Sequence, residues 1–208
     1  MKVLLLGATG GTGSHVLRVA MSAGHEVTVL VRDPSGLDVT DGVRVLTGDA
    51  TSATDVRAAV GGQAAVLNAV GSRSMRQPVE VEVGRALLPA MREAGVGRLV
   101  VCSAFGVGDS AQDANALQKM FFHTVLGKVY AAKEVDDAAV RDSPLDWTLV
   151  SPTRLTDDPA TGRLATGERL PDGAGGHVTR ADVARFMVAQ LSDDAWSRKT
   201  VVLTGAAD

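Results

Sequence analysis

A glycine-rich segment near the start of the chain has the residue types and spacing of an anion-binding loop. Gly7, Gly10 and Gly13 follow an apolar run at residues 3–6 and precede apolar residues at helical spacing. Glycines leave no side chains to hold a pyrophosphate away from backbone N–H groups, and a helix N-terminus adds partial positive charge. We therefore predict a dinucleotide-binding loop; the alternative is an ordinary tight turn. The loop residues assigned to the ligand are Gly7, Thr9, Gly10, Gly11, Thr12 and Gly13.

The glycine spacing departs from the GxGxxG pattern of standard dehydrogenases by one extra residue before the second glycine. The strand before the loop and the amphipathic helix after it nevertheless support the same function. A branched side chain at Gly10 or Gly13 should obstruct the pyrophosphate while leaving the protein folded, although Gly13 could also be needed for helix–strand packing.

The residue after the second predicted strand indicates which dinucleotide binds. NAD-selective sites carry an acidic residue there, about 20 residues after the glycine loop, whereas this chain has Arg32. A guanidinium matches a 2′-phosphate in charge and geometry, so we predict NADPH as cofactor. Alternatively, Arg32 pairs with Asp33 or Asp41 at the surface. Asp49, after the third predicted strand, is expected either to bind the adenine amino group or to cap a helix in an ordinary turn.

Strands and helices alternate along the chain and must position these residues. Continuous apolar runs, typical of central parallel strands, lie at residues 3–6, 27–31, 43–46, 64–70, 99–102, 147–150 and 200–203. Helical spacing predicts helices at residues 13–23, 53–60, 78–94 and 179–191. Pro89 should kink or break the third helix, and a capping box from Thr179 to Asp182 starts the fourth. The alternation predicts an α/β fold, a Rossmann-type doubly wound parallel sheet forming one NAD(P)-binding domain over residues 1–208.

Residues that directly follow strands are the next candidates. In doubly wound sheets, ligands bind outside the carboxyl ends of the strands, where the strand order reverses. Ala69 lies near the end of the fourth predicted strand, Gly71 follows that strand, and Ser103 follows the fifth. We assign all three to the cofactor site.

Composition argues against several other functions. The chain has 208 residues and a net charge of −3, without a clustered basic stripe, so we expect no nucleic-acid partner. The single cysteine, Cys102, ends an apolar run and is expected to be a buried strand residue; no ligand cluster suggests a metal site. No apolar stretch is long enough to span a membrane, and the short apolar start leads directly into the glycine loop. We therefore expect a cytoplasmic protein without a membrane partner.

These motifs together resemble a known superfamily. The glycine loop, residues 29–33 and residues 48–50 look like those of atypical short-chain dehydrogenases/reductases. More narrowly, nearly the whole chain resembles the biliverdin-IXβ reductase and flavin reductase group. The resemblance also includes residues 71–73, 103–105, 155–162 and 180–187. NmrA-like regulators, which bind the same cofactors without turnover, are similar through the first two-thirds only.

The resemblance implies a small NADPH-dependent reductase whose nicotinamide lies across the ends of strands four and five. A flat conjugated acceptor, such as a flavin, a quinone or a tetrapyrrole-like ring, would stack on the nicotinamide. A flavin would then be a substrate rather than a bound prosthetic group. The acceptor site would be formed with segments 103–130 and 151–176. Because such an acceptor carries its own electron sink, no proton donor from the protein is compulsory.

The resemblance also implies roles for individual residues. Arg32 matches the ligand of the 2′-phosphate, Asp49 the adenine contact, and Arg73 a basic residue at the mouth of the cofactor or substrate site. Ser103 matches the hydroxyl beside the nicotinamide and is the first catalytic candidate; alternatively, it simply ends a strand. Arg154 stands where the tetrapyrrole reductase carries a histidine. This departure argues against biliverdin and leaves a planar anionic acceptor.

Tyr130 and Lys133 are two further catalytic candidates. In standard short-chain dehydrogenases a lysine four residues after a tyrosine lowers the pKa of the phenol, which acts as general acid. Here the separation is three residues, so we do not expect Tyr130 to serve as the general acid. Lys133 would lie near the cofactor ribose or the acceptor, or it is an exposed helix lysine.

The connection between strands five and six contains the aromatic pair Phe121 and Phe122, followed by His123. The two rings would roof an aromatic acceptor, or they belong to the core or to a dimer contact. As a whole, the sequence predicts an NADPH-dependent oxidoreductase that acts on a small-molecule acceptor as a monomer or homodimer. The alternatives are a non-catalytic, NADP(H)-sensing NmrA-like regulator and a pathway ketoreductase or isomerase that uses Tyr130.

Overall fold

The computed structural model describes residues 1–72, 77–124, 126–170 and 176–206, without the side chains of residues 121–123. The first half contains β1 (Lys2–Leu6), α1 (Gly11–Ser22), β2 (Glu26–Val31), β3 (Arg44–Thr47), α2 (Ala53–Val60), β4 (Ala65–Asn68), α3 (Glu80–Ala94) and β5 (Arg98–Cys102). The second half contains α4 (Ala116–Thr124), α5 (Gly127–Asp142), β6 (Asp146–Pro152), β7 (Arg154–Thr156), β8 (Leu164–Gly167), β9 (His177–Thr179), α6 (Arg180–Ala189) and β10 (Lys199–Gly205). No helix within these ranges combines the length and apolar character needed to span a membrane.

Within the described ranges the main sheet has eight strands in the order β3-β2-β1-β4-β5-β6-β10-β8. Neighbouring strands from β3 to β10 are parallel, and β8 runs antiparallel to β10 at the edge. The chain moves outward from β1 to β3 and then returns to place β4 on the other side of β1. This reversal is the switch point of a Rossmann sheet, so the predicted fold class is confirmed.

Two apolar cores cover the faces of the sheet. Val3 and Leu5 point to one face, where α1 and α6 pack side by side. Leu4 and Leu6 point to the other face, which α2, α3 and α5 cover in a row. Because successive strand residues alternate between the faces, a strand covered on both sides must be apolar throughout. The continuous runs in the sequence therefore predicted the central strands correctly.

The turn from β1 to α1 depends on two glycines. Gly7 has a φ of +82°, and a Cβ at this position would lie 2.6 Å from the carbonyl group of Ala69. A Cβ at Gly13 would overlap the carbonyl oxygen of Gly7, whereas one at Gly10 would lie 3.2 Å from that oxygen. Gly13 is thus a packing residue between α1 and β1. The expectation that a branched side chain at Gly13 blocks a ligand in an otherwise intact fold is wrong on this geometry.

The second half of the chain contains elements that the sequence patterns did not predict. α3 continues through Pro89 rather than ending there. The connection from β5 to β6 includes α4 and α5, and β7 pairs with β9 in a separate ribbon. The edge strand of the main sheet is β8, which lies beyond β10, the strand that was expected to close the sheet. β7, β8 and β9 are only three or four residues long and partly exposed, so they lack the apolar run of a central strand.

We expect Gly13→Ala to lower the free energy of unfolding by about 1–3 kcal/mol, because backbone atoms must shift to accept the methyl group. Urea denaturation followed by circular dichroism measures the change. The control is Gly97→Ala, because a Cβ at Gly97 meets no atom within 4 Å. This control should change stability by less than about 0.5 kcal/mol. Equal stability of the two variants would contradict the close packing of α1 on β1.

Candidate functional site

A cavity of about 360 Å³ opens at the point where the strand order reverses, beyond the carboxyl ends of β1, β2 and β4. Its lining includes predicted cofactor residues from four separate loops, namely Gly7, Thr9, Gly10, Arg32, Asp49, Ala69 and Gly71. Apolar side chains such as Leu30 and Val83 complete the walls. The fold therefore brings together residues that are up to 64 positions apart in the sequence, at the location where such sheets bind ligands.

The start of α1 presents backbone N–H groups at this cavity. Gly10 is the N-cap and offers no side-chain cap, and the first turn contains no acidic residue. The N–H of Gly10 donates to the carbonyl of Gly7 at 2.9 Å and closes the turn. Thr12 and Gly13 are buried within the first turn, while Gly11 is exposed. N–H groups at a helix start have no intrahelical partner, so an anion is the chemical ligand that suits them.

Arg32 lies exposed at the rim of the cavity, directly after β2. Its neighbour Asp33 is engaged with Ser35, whose N–H and hydroxyl donate to Asp33 Oδ1 at 2.9 and 2.7 Å. In the part of the chain that the structure describes, no ion pair joins Arg32 to Asp33 or Asp41. The guanidinium is therefore available to an anionic ligand at the rim of the cavity.

Asp49 lies in another wall of the cavity and also forms a turn before α2. Its Oδ1 accepts the N–H and the hydroxyl of Thr51, both at 2.9 Å. The N–H of Asp49 donates to Asp55 Oδ2 at 2.9 Å. The hydrogen bond from the Thr51 N–H is the main cause that holds the pKa of Asp49 below its ordinary value, and the charge of Arg32 contributes less. The turn is thus observed, whereas the helix cap of α2 is Ser52 rather than Asp49, and the adenine contact stays a prediction.

Ser103 follows β5 and is buried against α5. Its hydroxyl donates to Asp137 Oδ2 at 2.5 Å, and its N–H donates to the carbonyl of Val150 at 2.7 Å. Burial raises the pKa of Asp137 to about 6, against the lowering effects of the Ser103 hydrogen bond and the nearby Lys133. Asp137 was not identified from the sequence, because recognising it required α5 and the side of α5 that faces β5.

Tyr130 and Lys133 both lie on α5 but contact different parts of the chain. Lys133 Nζ donates to the carbonyl of Cys102 at 3.3 Å. The Tyr130 hydroxyl donates to the carbonyl of Phe105 at 3.0 Å, and burial raises the pKa of Tyr130 to about 12. A general acid works best with a pKa near the operating pH. The environment of Tyr130 therefore does not favour that role. Cys102 is buried at the end of β5, as expected.

A second cavity, of about 410 Å³, lies between the loop after β5 and helices α4 and α5. Tyr130, Lys119 and Glu134 contribute to its lining. Most of its lining residues lie in segment 103–130, one of the two segments expected to form the acceptor site. Arg154 is exposed at the start of β7. Other predicted contacts lie outside the described residues, namely those of Arg73, residues 171–175 and the side chains of Phe121, Phe122 and His123.

Arg180, at the start of α6, lies against the glycine loop and was not assigned from the sequence. Its Nε is 2.9 Å from the point that a Cβ on Gly11 would occupy, and its Nη1 donates to Asp157 Oδ1 at 2.7 Å. Thr179 caps α6, as predicted, by accepting the N–H of Asp182. The Asp182 carboxylate accepts the N–H groups of Thr161 and Gly162 at 2.8 and 3.0 Å. The start of α6 thus ties the loop after β7 to the glycine loop.

The chain belongs to the NAD(P)H-binding family, whose model matches residues 7–194. The protein YwnB of Bacillus subtilis is 30% identical over an alignment of 205 positions, which covers 92% of this chain and 92% of that protein. The solved structure of ChuY, an anaerobilin reductase from Escherichia coli O157:H7, is 26% identical with a TM-score of 0.85, covering 100% of this chain and 98% of that one. The oxidoreductase YlbE from Lactococcus lactis shares the fold with a TM-score of 0.85 at 21% identity, covering 99% and 91%. The resemblance to atypical short-chain dehydrogenases/reductases is confirmed.

Tyr130 is the only tyrosine in the chain, so its ionisation is directly measurable by near-ultraviolet difference absorbance. We expect no substantial phenolate signal at pH 10, where an unperturbed phenol is about half ionised, because burial raises the pKa of Tyr130 to about 12. Circular dichroism at each pH shows whether the protein is still folded. A midpoint at or below pH 10 in the folded protein would show that the phenol is not buried as described.

Proposed function

We propose that the protein is an NADPH-dependent reductase that transfers hydride to a planar conjugated acceptor, such as a flavin, a quinone or a tetrapyrrole-like ring. The observation that carries the proposal is the cavity at the switch point. There the glycine loop and Arg32 line one cleft, and the residue directly after β2 is a cation instead of an acid. Such a cleft suits a dinucleotide diphosphate together with a 2′-phosphate.

The surroundings of Tyr130 and Ser103 support an acceptor that stabilises its own charge. The Tyr130 hydroxyl donates to the Phe105 carbonyl, and its raised pKa makes it a weak acid. Reduction of a conjugated ring needs chiefly that the nicotinamide C4 be held about 3–3.5 Å from the acceptor atom. Ser103, directly after β5, is the residue to which we assign holding the nicotinamide in that position. The similarity to ChuY, an anaerobilin reductase, supports reductase chemistry.

NADPH should bind at least about tenfold more tightly than NADH, because Arg32 makes a charge-assisted contact to the 2′-phosphate. Losing such a contact costs about 1.5–3 kcal/mol, so Arg32→Ala should weaken NADPH binding by roughly 10- to 100-fold and leave NADH binding nearly unchanged. Calorimetric titration of both nucleotides measures this. Arg44→Ala is the control, since Arg44 lies at the amino end of β3, away from the cleft. Equal affinity of the wild type for both nucleotides would contradict the assignment.

Steady-state NADPH oxidation tests the chemistry, using a panel of flavins, quinones, tetrapyrroles and small ketones. We expect Tyr130→Phe to change kcat/KM by much less than the roughly 10²–10⁴-fold typical of losing a general acid. Ser103→Ala should lower kcat by about 10²-fold, because a misplaced nicotinamide reacts slowly. A thousandfold loss in Tyr130→Phe with intact cofactor affinity would instead support the Tyr–Lys mechanism. Absence of turnover with every acceptor would favour a cofactor-binding regulator.

A further inference from the structure

Asp137 is a buried carboxyl group in contact with the proposed reaction centre. Its Oδ2 accepts the Ser103 hydroxyl at 2.5 Å, and the two residues are 3% and 5% exposed. Burying a carboxylate costs free energy unless hydrogen bonds or opposite charges compensate it. Burial nevertheless raises the pKa of Asp137, so the Ser103 hydrogen bond and the nearby cations do not compensate the cost in full. The direct partner of Asp137 is the residue expected beside the nicotinamide.

One face of α5 brings Lys133 and Asp137 to the end of β5. Lys133 and Asp137 are four residues apart and so lie on the same side of the helix. Lys133 Nζ donates to the carbonyl of Cys102, the residue before Ser103. The N–H of Ser103 is fixed by the carbonyl of Val150 in the neighbouring strand. Because the backbone is held in this way, only the direction of the Ser103 hydroxyl can still vary. Asp137 sets this direction by accepting the hydrogen bond of the hydroxyl.

We propose that Asp137 is a positioning residue, which turns the Ser103 hydroxyl inward so that its oxygen accepts an N–H of the nicotinamide carboxamide. The inference rests on the proposed function, because it requires a nicotinamide beside Ser103. A hydroxyl has one proton and two acceptor lone pairs. With the proton donated to Asp137, the serine can only accept from the ligand. The carboxamide amino group is the donor on the nicotinamide ring, so this contact fixes how the ring is rotated.

The protonation state of Asp137 determines the direction of this hydrogen bond. An ionised carboxylate only accepts hydrogen bonds. A protonated carboxyl can donate to the Ser103 oxygen instead, and the serine hydroxyl can then rotate and donate toward the cleft. Burial raises the pKa of Asp137 to about 6, so the accepting arrangement holds at neutral pH and weakens as the pH falls through this value. The groups around the carboxyl pair of Asp136 and Asp137 are Cys102 at the end of β5 and Ser103 directly after it, Lys133, Glu134 and Arg141 on α5, and Glu80 on α3.

Asp136 provides a matched control on the same helix. It is also buried, and burial raises its pKa to about 7, but its carboxyl faces α3. There its Oδ1 occupies the space that a Cβ on Gly84 would need, and this oxygen has no hydrogen-bond partner among the described residues. Substituting Asp136 thus removes a buried carboxyl without removing the hydrogen bond to Ser103.

The experiment compares binding of NADP⁺ with binding of its 3-acetylpyridine analogue, in which a methyl group replaces the carboxamide amino group. At about pH 8 we expect the wild type to prefer NADP⁺ by about five- to tenfold, the size of one hydrogen bond. Ser103→Ala and Asp137→Ala should abolish the preference, and Asp136→Ala should retain it. The preference of the wild type should decline below about pH 6. Asp137→Asn should keep it across that range, because an amide oxygen can accept the serine proton but does not ionise.

The possible failures are distinguishable. If the wild type binds neither nucleotide, the proposed function is wrong and the inference falls with it. If the wild type binds NADP⁺ but shows no preference, or if Asp137→Ala retains the preference, the inference is overturned while the cofactor assignment stands. Should Asp137→Ala fail to fold, Asp137→Asn decides, since a preference that declines at low pH in this variant contradicts the role of Asp137. The Asn variant should be at least as stable as the wild type at about pH 8, because a raised native pKa means that ionised Asp137 destabilises the fold.

Discussion

The close approach of α1 to β1 is the constraint on which the cofactor cleft depends. A side chain at Gly13 would overlap the Gly7 carbonyl, and one at Gly7 would lie 2.6 Å from the Ala69 carbonyl group. The loop is thus held between the start of α1 and the end of β4. This contact brings the positive end of the helix to the edge of the sheet. Arg32 and Asp49 are fixed separately, on β2 and before α2, so a wider spacing of α1 would move the helix end away from them.

Helices, rather than further strands, position the second half of the site. α6 packs on α1, and its first residues hold the loop after β7 through the Arg180–Asp157 ion pair and the Asp182 carboxylate. On the other face, α5 contacts the end of β5 through Lys133 and Asp137. The half of the site at the glycine loop therefore follows from the sheet and its tight turn, whereas the end of β5 and the loop after β7 are held by side chains on α5 and α6.

The same division explains what could be predicted from the sequence. The central strands are covered on both faces and so appear as apolar runs, and the glycine loop and Arg32 are local motifs whose chemistry can be inferred from residue type and position. Asp137 lies in the polar stretch Lys133-Glu134-Val135-Asp136-Asp137, which has the composition of an exposed helix. Only packing against α3 and β5 shows that Asp136 and Asp137 face inward while Val135 is exposed. Likewise, spacing alone did not separate Gly10, which lines the cleft, from Gly13, which packs the fold.

The two buried aspartates indicate that this region is not arranged for stability alone. Burial raises the pKa of Asp136 to about 7 and that of Asp137 to about 6, so these two groups bind protons more tightly in the folded chain than in the unfolded chain. The contribution of these two groups to stability therefore falls as the pH rises from about 4 through 7, and at neutral pH they carry charge that the fold holds unfavourably. Carboxyl groups with strongly shifted pKa values are concentrated at functional sites. Asp137 contacts Ser103 at the carboxyl end of β5, the side of the sheet on which doubly wound folds bind ligands, so orienting the serine is the function that we propose for this unfavourable charge.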